Sequence, residues 1–210
     1  MMEDYTDIGA TTPEALEISR KSRQIISEMI GDGTLEDMIK QRCVIATGDP
    51  SVADILRFHG RPGEAGLLAL EKGAPIFVDI KMVQAGVLKK GHTSPIEAFI
   101  GQGDALATAQ GITRTSAGVM ALQEKLSGSI IVIGNAPSAL LTLCDLIESG
   151  KVLPRLVIGA AVGFVNAAES KERLREIDVP SISTAGTRGG TPIAVAAINE
   201  IINAHARTKH

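Results

Sequence analysis

Short runs of aliphatic residues alternate with helical patterns along most of this chain, and the alternation restricts the possible folds more than any other feature. The aliphatic runs lie at 75–80, 129–133 and 153–158, with a weaker one at 180–184 and a further candidate at 95–101. Helical patterns cover 115–126, 137–148, 167–177 and 191–204. Buried aliphatic strands separated by helices are typical of parallel βαβ units, whose crossovers put helices on both sheet faces. We therefore predict an α/β fold, a single domain with a mostly parallel sheet flanked by helices on both faces.

The N-terminal part of the chain predicts two helices that precede the first strand. Thr12 and Pro13 form a helix start, in which a capping hydroxyl is followed by proline in the first turn. This helix is predicted to end near residue 30, and its buried side is predicted to carry Ile18, Ile25, Ile26 and Met29. A second helix is predicted over 35–46. Residues 1–11 are predicted to form a flexible tail, so that residues 12–210 make up the domain.

The composition argues against several classes of function. The 210 residues contain 21 Lys and Arg against 24 Asp and Glu, so the net charge of −3 provides no basic field for nucleic acid. The most apolar stretch, 129–144, is interrupted by Gly134 and Pro137 and predicts no membrane span. Cys43 and Cys144 lie far apart and belong to no Cys/His cluster, so neither a metal site nor a disulfide is predicted. Without a signal-peptide pattern, the chain is predicted to be cytoplasmic.

Three predicted strand ends are followed by glycine-containing turns and then by helices, at 134–138, 159–163 and 186–191. Ligands of open parallel sheets bind outside the carboxyl ends of the strands, where helix N-termini favour anions. For each turn alone, a tight connection without a ligand is an equal alternative. The three together, with Arg188 in one of them, favour a site for an acidic ligand. Because they match neither a P-loop nor a dinucleotide fingerprint, no nucleotide cofactor is predicted.

Four further polar residues are predicted to face this site: Ser22, Lys81, Arg114 and Lys171. Arg114 opens a helix within the sequence Thr-Arg-Thr-Ser, and this combination of guanidinium and hydroxyl groups suits the binding of a carboxylate. For each of the other three, taken singly, an ordinary surface position is the favoured interpretation.

Several segments together resemble the precorrin-8X methylmutase family. The most specific is 163–171, Gly-Phe-Val-Asn-Ala-Ala-Glu-Ser-Lys, and supporting segments lie at 22–26, 78–83, 113–115, 134–140 and 189–191. The resemblance implies a homodimeric α/β protein without metal or organic cofactor. It also implies that the ligand is a tetrapyrrole with many carboxylates, similar to a precorrin or to hydrogenobyrinate. Such a molecule agrees with the acidic ligand predicted from the glycine turns.

The resemblance further implies an isomerase of cobalamin biosynthesis that moves a methyl group from C11 to C12 of the macrocycle by an intramolecular shift. Ser22 and Arg114 match family residues that contact the macrocycle. Asn135, Lys171 and Arg188 lie in matching motifs, and with Lys81 these residues form the predicted substrate-binding set.

The chain departs from the family pattern at Ile45. Family members carry a histidine at this position, in the pattern Arg-x-Ile-His, and it is credited with the proton transfer, whereas isoleucine neither donates nor accepts a proton. His59 and Thr47 are the candidates for the catalytic role, with Asp49 as a further polar group. The alternatives are a mutase with another proton donor, a mutase that relies on binding geometry, and a non-catalytic corrinoid-binding carrier or scaffold. The glycine turns alone also allow an unrelated protein that binds a small acidic metabolite.

Overall fold

In the computed structural model, which describes residues 7–208, the aliphatic runs of the sequence form the strands of one sheet. The strands are β1 (Leu56–His59), β2 (Ile76–Val78), β3 (Ile96–Ala98), β4 (Ile130–Ile133), β5 (Leu156–Gly159) and β6 (Ser181–Thr184). The helices are α1 (Pro13–Ile30), α2 (Leu35–Thr47), α3 (Val52–Ile55), α4 (Pro62–Glu71), α5 (Lys81–Gly86), α6 (Asp104–Gln110), α7 (Arg114–Ala121), α8 (Gln123–Leu126), α9 (Pro137–Glu148), α10 (Ala167–Glu176) and α11 (Thr191–Arg207).

The strand order of the sheet is β1-β6-β5-β4-β2-β3, and the five strands β2 to β6 pair in parallel. β1 pairs with β6 in the antiparallel direction, with Leu56 opposite Thr184 and His59 opposite Ser181. The predicted fold class, a mostly parallel sheet in an α/β domain, is confirmed. The direction in which successive strands are added reverses between β2 and β4. β3 therefore lies at one edge of the sheet, and β5, β6 and β1 follow β4 toward the other edge.

Two apolar cores lie on opposite faces of the sheet. The first is built from side chains of α2, α4, α5 and α11, with Ile198 and Ile201 of α11 fully buried. The second is built from α7, α8, α9 and α10, and here Leu140 and Leu143 of α9 are fully buried. Alternate residues of β4 point to the two faces, because successive side chains of a strand point in opposite directions. All four residues of β4 are therefore buried, and the strand reads as a continuous aliphatic run.

Several elements were not predicted from the sequence. β1, α3, α4, α5 and α6 fall in the interval between the predicted second helix and the predicted helix at 115–126. That predicted helix is itself divided, since α7 ends at Ala121 and α8 begins at Gln123. The connection between them is a tight turn at Leu122, whose side chain is buried in the core.

The predicted buried side of α1 is wrong for three of its four residues. Ile18, Ile25 and Met29 are each about 60% exposed, at 58%, 63% and 61%, whereas Ile26 packs against the core. The residue of α1 that is buried is Arg23. Its guanidinium donates to Glu200 of α11, to the carbonyl oxygen of Met38 and to Gln41 of α2.

Glu200 lies at the centre of this buried charge cluster. Its carboxylate is fully buried and also accepts from Arg42 of α2 and Arg207 of α11, each at 3.4 Å. α1 is therefore held on the domain by a buried ion pair as well as by apolar contacts.

Part of the segment predicted as a flexible tail contacts the domain. Asp7 accepts from Ser19 and forms an ion pair with Arg42, while the backbone N–H of Ile8 donates to Asn203 of α11. The remainder of the predicted tail, residues 1–6, lies outside the described residues. Within residues 7–208, no helix is both long enough and apolar enough to cross a membrane.

Candidate functional site at the carboxyl edge

The carboxyl ends of β4, β5 and β6 lie side by side, so the loops that follow them meet at one edge of the sheet, which we call the carboxyl edge. The backbone N–H of Gly190 donates to Ala160 at 2.7 Å, and that of Gly163 donates to Thr187 at 3.2 Å. A Cβ on Gly189 would lie 2.3 Å from the carbonyl oxygen of Ala160, so this approach of two loops requires glycine. The structure thus brings together the turns that the sequence singled out.

Asp79, directly after β2, holds the turn that follows β4. Its buried carboxylate accepts from the backbone N–H groups of Gly134, Asn135 and Ala136, at 3.2, 2.7 and 2.9 Å. Burial raises the pKa of Asp79, and these backbone hydrogen bonds oppose that rise. The side chain of Asn135 is exposed beside this turn. Its position at the carboxyl edge is therefore fixed through its backbone.

Arg114 begins α7 at the same edge. The N-cap residue Thr113 contacts Ser138 of α9 at 2.8 Å between the two hydroxyl oxygens, so the N-termini of α7 and α9 are adjacent. The guanidinium of Arg114 is exposed and makes a two-point ion pair with Asp104, at 2.9 and 2.8 Å. An exposed pair of this kind contributes only ~0–1 kcal/mol, so a ligand carboxylate can replace Asp104 at little cost.

Lys171 is fully buried rather than exposed to a ligand. Its ammonium donates to the hydroxyl of Thr184 at 3.0 Å and to the carbonyl oxygen of Arg188 at 2.6 Å. The hydroxyl of Thr184 donates to the same carbonyl oxygen at 2.6 Å. Lys171 therefore anchors the loop after β6 to the strand itself.

We expect the buried amine of Lys171 to make folding stability depend on pH. Burial lowers its pKa from 10.5 to about 8, so between these values the unfolded chain holds a proton that the folded protein lacks. Stability from this group therefore rises with pH over that window. In chemical denaturation from pH 7.5 to 10, wild type should gain roughly 1–2 kcal/mol relative to Lys171→Met, which is below the full pKa difference because of screening. Parallel stability curves for the two proteins would show that Lys171 titrates normally.

Arg188 connects the loop after β6 to the loop between α2 and α3. Its guanidinium donates to the carboxylate of Asp49 and to the hydroxyl of Ser51, the latter at 3.0 Å. The hydroxyl and the backbone N–H of Ser51 both donate to the carboxylate of Asp49 and lower its pKa, and Arg188 lowers this pKa further. Like Arg114, Arg188 is exposed, and its carboxylate partner is exposed with it.

Ser22 and Ile45 line one cavity of about 240 Å³, next to the loop that contains Asp49. The other lining residues are Ile25, Ile26, Val44, Gly48 and Pro50. Ser22 is the one residue of this set with a polar side chain. Ile45 is 37% exposed, so its side chain reaches the cavity from the last turns of α2 rather than packing into the core.

None of the other predicted residues lines this cavity. His59 is the last residue of β1 and pairs with Ser181, the first residue of β6, so it lies at the opposite edge of the sheet, ~10 Å along the strands. The structure does not bring His59 to the carboxyl edge, since β1 runs antiparallel to β6. The hydroxyl of Thr47 donates to the carbonyl oxygens of Cys43 and Val44 in its own helix. Lys81 is exposed at the start of α5, just after β2.

Asp79 and an exposed apolar loop were not among the predicted site residues. Phe164 is 95% exposed and Val165 is 76% exposed, in the connection from β5 to α10 at the carboxyl edge. These two adjacent exposed apolar side chains are a candidate contact surface for another molecule. The sequence contained a signal for both features: Asp79 ends an aliphatic run, and Phe164 lies in a turn segment where burial is unexpected.

The thiols and possible metal ligands give no further catalytic group at this edge. Cys43 and Cys144 are buried, and burial raises the pKa of each thiol to about 12, so neither is an effective nucleophile. Among residues 7–208, no cluster of three or more His, Cys, Asp or Glu side chains has a metal-binding arrangement.

Comparison with known proteins gives the family. The family model CbiC, precorrin-8X methylmutase, matches residues 17–204. This chain belongs to the precorrin-8X methylmutase family. It is 41% identical over 206 residues to the cobalt-precorrin-8 methylmutase of Methanocaldococcus jannaschii, an alignment that covers 93% of this chain and 96% of the relative. It is also 40% identical over 166 residues to the precorrin-8X methylmutase of Pseudomonas aeruginosa, with 76% and 80% covered.

A solved family structure has the same fold. The precorrin-8X methylmutase of Thermus thermophilus superposes with a TM-score of 0.84 at 34% identity, over 91% of this chain and 97% of the other. The sheet of six strands and its helices are thus those of the methylmutase family.

Proposed function

We propose that this methylmutase-family protein binds a precorrin-8-type tetrapyrrole at the carboxyl edge and moves a methyl group from C11 to C12 of the macrocycle. The observation that carries the proposal is the pair of exposed guanidinium groups at this edge, Arg114 and Arg188. Each is held by an exposed carboxylate, Asp104 or Asp49, that a substrate carboxylate can replace. The N-termini of α7 and α9 add free backbone N–H groups and partial positive charge for further carboxylates.

For this reaction the protein has to orient the macrocycle and exclude water, and it does not have to supply a nucleophile. Because the methyl shift is intramolecular, the protein accelerates it by binding the reactive geometry and tautomer more tightly than the ground state. Ile25, Ile26, Val44 and Ile45 give the cavity an apolar wall suited to a macrocycle face. Ser22 supplies a hydroxyl within that wall, and the exposed Phe164 supplies a further apolar contact.

A second candidate function is that of a corrinoid-binding relative with little or no mutase activity. The observation in its favour is the cavity lining, in which Ile45 occupies the place that the family resemblance gives to a histidine. No residue that lines this cavity in the described chain titrates near neutral pH. Both candidates bind the same ligand, and they differ only in turnover.

We expect Arg114→Ala to weaken binding of the product analogue hydrogenobyrinate roughly 10- to 100-fold, because a charge-assisted hydrogen bond is lost. Titration followed by the visible absorbance of the corrinoid measures the affinity, and a thermal melt measures folding, which should change little at this exposed position. Turnover of precorrin-8X and cobalt-precorrin-8 with wild type, followed spectrally, separates a mutase from a binder.

Arg155→Ala is the matched control for this measurement. Arg155 is exposed like Arg114 but lies before β5, at the opposite edge of the sheet. Equal affinities of wild type and Arg114→Ala, or equal losses in the two variants, would remove Arg114 from the binding site.

We also infer that the protein is a cytoplasmic homodimer with the ligand site near the subunit interface. Exposed apolar side chains support the dimer: Ile18, Ile25 and Met29 on α1, together with Phe164 and Val165. Ile25 belongs both to this exposed set and to the wall of the cavity. Light scattering at micromolar concentration distinguishes the dimer from a monomer, and a monomer would contradict the inference.

A further inference from the structure

A second cavity, of about 500 Å³, lies between α5 and the edge strand β3. Its lining residues are Lys81, Gln84, Ala85, Lys89, His92, Ser94 and Ile96. Lys81 begins α5 just after the carboxyl end of β2, whereas Ser94 precedes the amino end of β3. Since β2 and β3 are parallel and in register, the cavity extends along the length of the edge strand, ~10 Å.

The charge of this cavity is positive. Lys81 is the first residue of α5, Lys89 follows the end of that helix, and the lining set contains no Asp or Glu. The imidazole of His92 acts as part of the wall, because its Nδ1 accepts from the backbone N–H of Ser94 at 3.1 Å and its Nε2 lies 2.7 Å from the carbonyl oxygen of Leu88.

A buried hydroxyl in the same lining set makes no hydrogen bond within the described residues. Ser94 is 6% exposed, and its Oγ has no partner. A buried hydroxyl without a partner costs free energy, and rotation about the Cα–Cβ bond of Ser94 would let this Oγ, which is closed to solvent here, donate to a ligand oxygen in the cavity. Two ammonium groups and one free hydroxyl match the needs of carboxylate oxygens.

Hydrogen bonds to α11 and to β3 fix the walls of the cavity, so the cavity is formed without a ligand. Asn199 of α11 donates to the carbonyl oxygen of Gly86 and accepts from the backbone N–H of Leu88, both at 2.9 Å. Gln84 donates to the carbonyl oxygen of Ile96 at 3.0 Å and thereby ties α5 to β3. A preformed cavity binds a ligand without the cost of ordering its walls.

We propose that the cavity between α5 and β3 is a binding site for a small molecule with two or more carboxylates, held by Lys81, Lys89 and the hydroxyl of Ser94. Because Lys81 and Lys89 are separated along the cavity, they favour an anion whose negative charges are also separated. The apolar side chains of Ala85 and Ile96 can contact the carbon skeleton of this anion. The carboxylates have two possible sources: a free polycarboxylate, or acidic arms of the tetrapyrrole that enter from Lys81. The second source rests on the proposed function, whereas the first is independent of it.

The test uses citrate as the free polycarboxylate and its uncharged trimethyl ester as the control ligand. Titration of ¹⁵N-labelled protein should shift the amide signals of residues 84–96 with citrate and leave them unchanged with the ester. Lys89→Ala and Ser94→Ala should each weaken citrate binding, by roughly 10- to 100-fold for the charged contact. Ser94→Ala removes no hydrogen bond made within the described residues, so its folding should be normal.

Lys125→Ala is the matched lysine control, because Lys125 is exposed on α8, over the other face of the sheet. If citrate does not bind but Lys89→Ala and Ser94→Ala weaken hydrogenobyrinate binding, the carboxylates of the macrocycle occupy the cavity and the proposal is supported. If these substitutions change the affinity for neither citrate nor hydrogenobyrinate, the proposal is overturned, whether or not the protein converts precorrin-8X. Conversion of precorrin-8X therefore tests the proposed function separately.

Discussion

Replacement of Ile45 by histidine is expected to raise the rate of precorrin-8X conversion by ~10²–10⁴, the usual contribution of general acid–base catalysis. Position 45 lines the cavity that also contains Ser22, and its side chain is 37% exposed. An imidazole there is not forced into the apolar core, so it should keep a pKa near ~6.5 and act as a proton donor near neutral pH. Visible spectra recorded at saturating precorrin-8X measure the rate, and the gained activity should follow the titration of one group.

Two control variants separate proton transfer from other effects at Ile45. Ile45→Gln introduces a polar side chain that does not titrate, and it should leave turnover near the wild-type rate. Ile25→His places the same imidazole in the lining of the cavity but on α1, and it should also give little gain. Fast turnover by wild type that is unchanged in Ile45→His and abolished in His59→Ala would show that the proton comes from His59. The opposite-edge position of His59 would then require a ligand site different from the proposed one.

Replacement of Glu200 by glutamine is expected to destabilise the protein by ~3–5 kcal/mol, the usual cost of breaking a buried ion pair. Glu200 is fully buried and contacts Arg23, Arg42 and Arg207, so the variant keeps three guanidinium groups around a neutral amide. For a domain of this size each kcal/mol lowers Tm by ~2–4 °C, so the melt should shift by roughly 6–20 °C.

Glu172→Gln is the control for this substitution. Glu172 also pairs with an arginine, Arg175, but at 4.0 Å and with its side chain 61% exposed. Its replacement should change stability by less than ~0.5 kcal/mol. A melting temperature of Glu200→Gln within the range of Glu172→Gln would mean that the buried cluster contributes no more than a surface pair. Because Ser22 precedes Arg23 on α1, hydrogenobyrinate affinity should also fall in Glu200→Gln.

Most of the parallel part of the fold could be predicted because β2, β4, β5 and β6 are buried at every position. A strand such as β4, which is buried at all four positions, appears in the sequence as an uninterrupted run of aliphatic residues, a pattern that is not expected of a surface element. β1 gives no such signal, since it is an edge strand whose exposure varies from residue to residue and which contains Arg57 and His59. The antiparallel pairing of β1 with β6 is also what places His59 away from the carboxyl edge.

The buried side of α1 could not be predicted from its apolar residues. The helix docks through Arg23, whose partners lie on α2 and on α11, 15 to 177 residues away in sequence. Periodicity identifies an apolar stripe but does not show which molecule covers it. The exposed Ile18, Ile25 and Met29 form such a stripe without a cover in the single chain.

The candidate site was predicted in part, for a comparable reason. The glycine turns and the helix start at Arg114 are local features, so the sequence locates them along the chain. The anchoring role of Lys171 depends on hydrogen bonds to Thr184 and Arg188, residues 13 and 17 positions away. Asp79 likewise contacts a turn 55 to 57 residues further along the chain. Such contacts are set by the order of strands in the sheet, which the local pattern does not contain.

A crystal structure of the wild-type protein with bound hydrogenobyrinate would test the central claim most directly. We predict that the macrocycle lies at the carboxyl edge, with one face against Ser22 and Ile45. We also predict that its carboxylates contact Arg114 and Arg188 in place of Asp104 and Asp49. A macrocycle bound at the opposite edge, beside His59, or bound without a contact to either arginine, would contradict the account.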